Sequence, residues 1–181
     1  MKNVLAFVHD VIIAEVPKDK IGIDATLGNG HDTLFLSRHL KTVFAFDIQA
    51  DAIETAKQNR HLENRDNVRL IRDSHVNMAV YVAANIGVIM FNFGYLPGGD
   101  KTITTSADTS LEAVQVALEV VDDDGLVTLV FYPGHPEGKR EVTMLLPYLE
   151  NLDSKTYSVM KYHTVNRESA PFAVIIKKHG G

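Results

Sequence analysis

Residues 21–37 read IGIDATLGNGHDTLFLS, and this stretch decides the fold. It begins as a short apolar strand, reaches an acidic residue at Asp24, and turns at Gly28 and Gly30 before a helix opens. Glycine tolerates positive φ and has no Cβ, so the backbone of such a turn can approach a ligand closely. The first N–H groups of the following helix favour a negative group nearby. The stretch therefore predicts a nucleotide-type binding turn, without naming the nucleotide.

The length and composition limit what kind of protein this is. With 181 residues, the chain is expected to form a single domain over residues 1–181. It has no cysteine, which excludes disulfides, thiolate metal sites and a cysteine nucleophile. Its first residues lack the basic flank of a signal peptide, and no apolar run approaches the roughly 20 residues of a membrane span. We therefore expect a soluble, cytoplasmic protein.

The charge of the chain argues against nucleic-acid binding by its whole surface. The net charge is −5, whereas nucleic-acid binding by a whole surface depends on lysine and arginine neutralising phosphates. A local basic face is still open to the protein. The eight histidines show no spacing typical of zinc ligands, so no metal is expected.

Apolar strands alternate with helical patterns along the chain, which favours a mostly parallel sheet with helices on both faces. The last two strands follow each other without a helix, which predicts that one of them is antiparallel. The predicted fold is an α/β, Rossmann-like fold with a seven-stranded sheet and an antiparallel C-terminal strand. The predicted helices include 3–15, 50–63, 106–121 and 139–149, and the predicted strands include 42–47, 86–92, 126–132, 154–165 and 171–178.

Polar residues stand at the carboxyl ends of four successive predicted strands: Asp24, Asp47, Asp73 and Asn92. In open α/β sheets, ligands bind outside the carboxyl ends of the strands, near the point where the strand order reverses. Core packing does not account for four such residues. The pattern therefore predicts a ligand site at this edge of the sheet.

Two nucleotide sites fit the glycine turn poorly. The dinucleotide fingerprint requires a third glycine where this chain has Thr33, and a P-loop requires a lysine followed by serine or threonine. The pattern D-x-T-x-G-x-G, with Asp47 at the end of the next strand, instead resembles the Rossmann-like class I methyltransferases that use S-adenosylmethionine. That resemblance implies S-adenosylmethionine as cofactor, with the turn on its methionine and ribose, Asp47 on the ribose hydroxyls and Asp73 near the adenine. The implied cofactor-binding residues are Asp24, Thr26, Gly28, Asn29, Gly30, His31, Asp47, Gln49, Asp73, Ser74, His75 and Asn92.

Residues 92–95, Asn-Phe-Gly-Tyr, stand where many nitrogen methyltransferases have Asp or Asn, two prolines, and Tyr or Phe. The Asn92 carbonyl can accept a hydrogen bond from an attacking amine, and Tyr95 can stack on a planar substrate. Displacement at a sulfonium depends mainly on orientation. His31, Asp32 and His135 are the sequence candidates for accepting the amine's proton, and the predicted catalytic set is Asn92, Tyr95 and Asp32.

Four segments together carry a more specific resemblance: residues 24–36, 91–105 and 131–141, and the pattern N-x-x-x-x-P-F that starts at Asn166. They resemble the YtqB-like family, bacterial proteins first described as rRNA methylases. The resemblance implies tRNA as substrate, with N-methylation of the amine of 5-aminomethyl-(2-thio)uridine at the wobble position, the MnmM activity. The anticodon region would then contact Gly94, Tyr95, Lys101, Thr104, Thr105, Tyr132, His135 and Asn166.

Several alternatives stay open at this stage. A methyltransferase acting on a small metabolite suits the acidic chain, and rRNA is a further possible substrate. A non-catalytic module that senses the cofactor or scaffolds RNA is the alternative from another class, although a sensor needs no amine-orienting residue such as Asn92. Apolar strands at a sheet edge also suggest a homodimer.

Overall fold

The computed structural model of the protein describes residues 2–93, 107–167 and 169–180. The strands are β1 (Ile21–Asp24), β2 (Thr42–Phe46), β3 (Val68–Ile71), β4 (Ile86–Asn92), β5 (Leu126–Phe131), β6 (Tyr157–Tyr162) and β7 (Phe172–Lys178). The helices are α1 (Val4–Glu15), α2 (His31–His39), α3 (Ala50–Gln58), α4 (Arg60–Glu63), α5 (Met78–Tyr81), α6 (Ala107–Val120) and α7 (Pro136–Glu150), with a 3-10 turn at His75–Asn77.

The described strands form one seven-stranded sheet in the order β3-β2-β1-β4-β5-β7-β6. Strands β1 to β5 pair in parallel, and β7 is antiparallel to both β5 and β6. This confirms the predicted α/β architecture. The strand order reverses between β1 and β4, so the carboxyl ends of these two neighbours flank the topological switch point, where ligands bind in such sheets.

Helices cover both faces of the sheet, so the central strands are buried on both sides. On β4, Val88 and Met90 pack in a cluster with Val8 of α1 and Leu36 of α2. The alternate residues, Ile89 and Phe91, pack in a second cluster with Ala113 of α6 and Leu145 of α7. Successive side chains of a strand point to opposite faces, so an almost continuous apolar run is what a doubly covered parallel strand requires.

Two predicted helices differ from the structure by more than one residue at their bounds. The helix expected over residues 50–63 is broken at Asn59, whose backbone is extended (φ −72°, ψ 106°) and whose side chain accepts a hydrogen bond from the His61 N–H. Asparagine caps a helix start readily, so it divides the segment into α3 and α4. Helix α7 begins at Pro136, three residues before the prediction, because proline is well suited to the first helical position.

Strand β6 lies at one edge of the sheet, and its Met160 is 55% exposed. The expected homodimer stays a prediction. Within the described ranges, no helix has the length and apolar character needed to cross a membrane.

Candidate active site at the carboxyl edge of the sheet

The glycine turn joins β1 to α2 and has the predicted backbone geometry. Gly28 and Gly30 have positive φ values of 48° and 76°. A Cβ on Gly30 would lie 2.6 Å from Cδ1 of Leu62, so the turn packs closely on α4 as well. Gly30 occupies the N-cap of α2 without a side-chain hydrogen bond to the helix. The turn therefore presents backbone, not a capping side chain, at the start of the helix.

Asp24 holds the turn from inside. Its side chain accepts hydrogen bonds from the Thr26 N–H (3.1 Å) and from the Thr33 hydroxyl (2.5 Å). The residue is 1% exposed, and burial, assisted by the negative charge of Asp32, raises its pKa to about 7. The turn is therefore fixed by a buried carboxyl group. Thr33 stands where the dinucleotide fingerprint requires a third glycine, and its hydroxyl is one of the two groups that donate to Asp24.

Asp47 connects the end of β2 to the turn. Oδ2 accepts from the Gly28 N–H at 3.1 Å, and Oδ1 accepts from the Gln49 N–H at 2.9 Å. The side chain is half-buried, and an ionised carboxylate has about four lone-pair sites. Among the described residues, hydrogen bonds to Asp47 occupy two of these sites.

The segment after β3 makes mostly internal hydrogen bonds. Asp73 accepts from the Ser74 N–H, the Asn77 amide and the Tyr81 hydroxyl, and the hydrogen bond from Tyr81 is the main reason that its pKa is lowered. Ser74 caps the 3-10 turn through the Val76 N–H. His75 is buried, its Nδ1 lies 2.9 Å from the Ala25 carbonyl, and burial lowers its pKa. Adenine contacts from these side chains stay a prediction.

Asn92 ends β4 beside the turn, and its side-chain amide is oriented by its neighbours. The backbone N–H donates to the Thr26 hydroxyl at 2.8 Å, and Nδ2 donates to Oδ2 of Asp32 at 3.2 Å. A side-chain hydrogen bond with Asn92 also offsets part of the rise that burial causes in the pKa of Tyr132. Oδ1 of Asn92 is buried and has no hydrogen-bond partner within residues 2–93, 107–167 and 169–180. The NH₂ group of the amide is thus engaged by Asp32, whereas its oxygen has no described partner.

Asp32 lies in the first turn of α2 and joins Asn92 to a residue that sequence reasoning missed. Its Oδ1 is 2.9 Å from Nε2 of His9, and the two side chains are 7% and 23% exposed. The His9 ring stacks on Phe35 of α2, with centroids 3.7 Å apart and an interplanar angle of 5°. The sequence offers no local signal for this contact, because His9 and Asp32 are 23 positions apart in the chain.

The remaining predicted substrate residues differ in what the structure describes. Tyr132 is half-buried beside Asn92, while Nδ1 of His135 caps α7 by accepting from the Gly138 N–H at 3.1 Å. Asn166 is exposed in the loop between β6 and β7. Of the predicted cofactor residues, Asn29 in the turn and His31 at the start of α2 are also exposed. Gly94, Tyr95, Lys101, Thr104 and Thr105 lie in residues 94–106, outside the described residues. Among the described residues, no group of three or more His, Asp or Glu side chains could hold a metal ion.

Solved structures share this fold. The crystal structure of a putative rRNA-methylase from Clostridium thermocellum is 37% identical, covers 98% of each chain and superposes with a TM-score of 0.93. SMU.1697c, a putative methyltransferase from Streptococcus mutans solved in complex with SAH, is 35% identical over 98% of this chain and 99% of its own, with a TM-score of 0.90. The fold and the site together define a class I, Rossmann-like methyltransferase.

The sequence comparisons narrow that class. Residues 43–178 match the family described as "Putative rRNA methylase", and the chain belongs to this family of S-adenosylmethionine-dependent methyltransferases. It is also 34% identical to the chloroplastic tRNA (mnm(5)s(2)U34)-methyltransferase of Arabidopsis thaliana, over 98% of this chain and 70% of that protein. The predicted family is therefore confirmed.

Proposed function

We propose that this protein uses S-adenosylmethionine to N-methylate the amine of 5-aminomethyl-(2-thio)uridine at the wobble position of tRNA. The single observation that carries the chemistry is the buried Oδ1 of Asn92, which has no partner in the described part of the chain. A buried acceptor without a donor costs free energy, so its retention at the switch point suits a site that a substrate N–H completes. The Arabidopsis relative supports the choice of tRNA among amine substrates.

The residues of the turn fit the cofactor. Positive φ at Gly28 and Gly30 brings backbone to the ligand side, and Asp47 keeps lone pairs for two ribose hydroxyls while holding the turn. When bound, S-adenosylmethionine supplies a methyl group activated by its sulfonium charge. We assign Asp47 and the turn to cofactor binding. Asp24 shapes the turn from behind, because both of its oxygens accept from residues of the turn and of α2.

The acceptor amine is oriented by Asn92. Its Oδ1 accepts one amine N–H, which aims the nitrogen lone pair at the methyl carbon. The nitrogen forms the new N–C bond while the electron pair of the C–S bond goes to sulfur. The product nitrogen then carries a positive charge and loses a proton. Asp32, whose carboxylate contacts the Asn92 amide, contributes negative charge to this region, and the proton leaves to a carboxylate or to water.

The decisive experiment incubates the purified protein and labelled cofactor with three acceptors: tRNA from cells lacking the modification, rRNA from the same cells, and their small-metabolite fraction. Nucleoside mass analysis should find the methyl group on the wobble uridine of tRNA. Label only in rRNA or only in small metabolites would select one of the alternatives and reject tRNA. The family's description as an rRNA methylase is the reason to include rRNA.

A substitution of Asn92 tests whether its buried Oδ1 is needed for this activity. Asn92→Ala removes one oriented hydrogen bond and should lower kcat by about 10- to 100-fold. Asn151→Ala is the matched control, because Asn151 caps the far end of α7 through the Pro147 carbonyl and is exposed. If the two variants have equal activity, Asn92 does not orient the amine.

A further inference from the structure

His9 belongs to a chain of contacts that ends at the reacting site. Nε2 of His9 meets Oδ1 of Asp32 at 2.9 Å, and Oδ2 of Asp32 accepts from Nδ2 of Asn92 at 3.2 Å. The three side chains come from three elements: α1, α2 and β4. The chain of contacts stops at the Asn92 oxygen that has no described partner.

The chemistry of these contacts fixes the direction of each hydrogen bond. An ionised carboxylate only accepts, so the Nε2 of His9 that contacts it carries hydrogen, and the Asn92 atom facing Asp32 is the NH₂ group. An asparagine amide can be rotated by half a turn with almost no change of shape. Asp32 removes this ambiguity because it can face only the NH₂ group, which leaves Oδ1 on the other side.

His9 in turn decides where the Asp32 carboxylate points. Asp32 is 6% exposed, so water cannot readily replace the hydrogen bond from His9 if that donor is lost. The stack on Phe35 fixes the plane of the His9 ring. A histidine that merely packed α1 onto the sheet would not need its ring nitrogen on a buried carboxylate.

We propose that His9 is a positioning residue for methyl transfer. It holds the Asp32 carboxylate, and through Asp32 it keeps the Asn92 amide turned so that Oδ1 faces the acceptor nitrogen. This role concerns the acceptor amine, so cofactor binding by the glycine turn should not depend on His9. The proposal rests on the proposed function only for the identity of the amine.

The kinetic test compares His9→Ala, His9→Gln and His39→Ala. His39 touches the same Phe35 ring, at a centroid distance of 4.9 Å, and serves as the matched control. His9→Ala should lower kcat about tenfold or more, with KM and the Kd for SAH by calorimetry changing less than about threefold. His9→Gln should recover most of kcat because its amide can donate to Asp32, and His39→Ala should match the wild type.

Three kinetic results would overturn the proposal. An unchanged kcat in His9→Ala would show that the contact does not matter for the reaction. Equal losses in His9→Ala and His9→Gln would show that donation to Asp32 is not what counts. Loss of SAH binding in parallel with kcat would place His9 in the stability of the cofactor site instead.

An NMR arm tests the same role without any substrate. In ¹⁵N-labelled protein, the Asn92 side-chain amide signals, identified by their absence in Asn92→Asp, should shift in His9→Ala and keep their positions in His39→Ala. If His9→Ala fails to fold, His9→Gln and Asp32→Ala are measured instead, and Asp32→Ala should change the ring nitrogen shifts of His9. Unmoved signals in the folded variants overturn the positioning role. If the signals shift in the variants as expected but the wild-type protein leaves tRNA unmethylated, only the proposed function is overturned.

Discussion

At the scale of single residues, Asp47 connects cofactor binding to the shape of the turn. Asp47→Ala removes a carboxylate that accepts from the Gly28 and Gln49 N–H groups and that, in the proposed function, also accepts from the ribose hydroxyls of the cofactor. Hydrogen bonds to charged groups contribute about 1.5–3 kcal/mol each, so the Kd for S-adenosylmethionine should rise at least about tenfold. Titration calorimetry measures it, with Asp51→Ala, an exposed residue of α3, as control. Unchanged affinity would remove Asp47 from the ribose role.

Glu141 in α7 gives a prediction about pH. It is 4% exposed, and burial, with a smaller contribution from Glu137, raises its pKa from 4.5 to about 7. A carboxyl group whose pKa is higher in the folded than in the unfolded state destabilises the fold at pH values that ionise it. Its contribution to the free energy of unfolding therefore falls as the pH rises from about 4.5 through 7.

Glu141→Gln removes this pH dependence because glutamine carries no charge at any pH. The variant should gain about 1–3 kcal/mol relative to the wild type between pH 5 and pH 8. Urea unfolding at both pH values measures the difference. Glu150→Gln, at the exposed end of the same helix, should show no such gain. A constant difference between Glu141→Gln and the wild type would mean that Glu141 stays protonated or is solvated.

At the scale of elements, strand β5 contains an unpaired hydroxyl in an otherwise apolar run. Thr128 is fully buried, and its Oγ1 has no hydrogen-bond partner among the described residues. Valine has nearly the same shape without the hydroxyl, so Thr128→Val should raise the free energy of unfolding by about 1 kcal/mol. Thr33→Val should act in the opposite direction, because the Thr33 hydroxyl donates to buried Asp24. Chemical denaturation of both variants at pH 7 tests the pair, and destabilisation by both would contradict it.

The sequence was sufficient for the parallel strands and for the polar residues at their ends. Apolar runs bounded by turn residues predict β1, β2, β4 and β5, and a strand's carboxyl end follows directly from its direction. The break at Asn59 was not predicted because the helical periodicity continues through this position. The pattern alone does not tell whether a single capping residue interrupts the helix. The 3-10 turn at His75–Asn77 and α5 are too short to show a period.

The parts of the site that sequence did not reveal depend on how elements cross. His9 meets Asp32 only because α1 lies beside α2 on the same face of the sheet, a packing choice that neither segment encodes alone. The donation from Thr33 to Asp24 likewise requires the turn to fold back on itself. Strand ends are readable from a sequence, whereas side-chain partners across elements are not.

At the scale of the whole molecule, an acidic chain that acts on RNA must bind it through a few local cations. We expect affinity for tRNA to fall by about tenfold between 50 and 200 mM salt, as for two or three phosphate contacts. Lys139 at the start of α7 and Arg167 in the loop after β6 are exposed at the carboxyl edge. Replacing either by alanine should lower the salt slope by about one, in filter-binding titrations.

Lys155 is the control for that measurement. It is exposed before β6, at the opposite edge of the sheet, so Lys155→Ala should keep the wild-type slope. Affinity that does not change with salt would exclude RNA phosphates as a binding partner and would favour a small-metabolite substrate. Equal effects of all three substitutions would indicate diffuse attraction and no defined RNA-binding face.

The position of β7 has a consequence for how the protein is made. Although β7 is the last strand along the described chain, it lies inside the sheet between β5 and β6. A nascent chain on the ribosome can assemble β1 to β5, but β6 has nothing to pair with until Phe172–Lys178 has been synthesised and has emerged. Until then the outer side of β5 is an unpaired edge, open to association with other chains. Translational pausing before Phe172 would prolong that exposure, so β5 needs protection by chaperones until β7 has emerged.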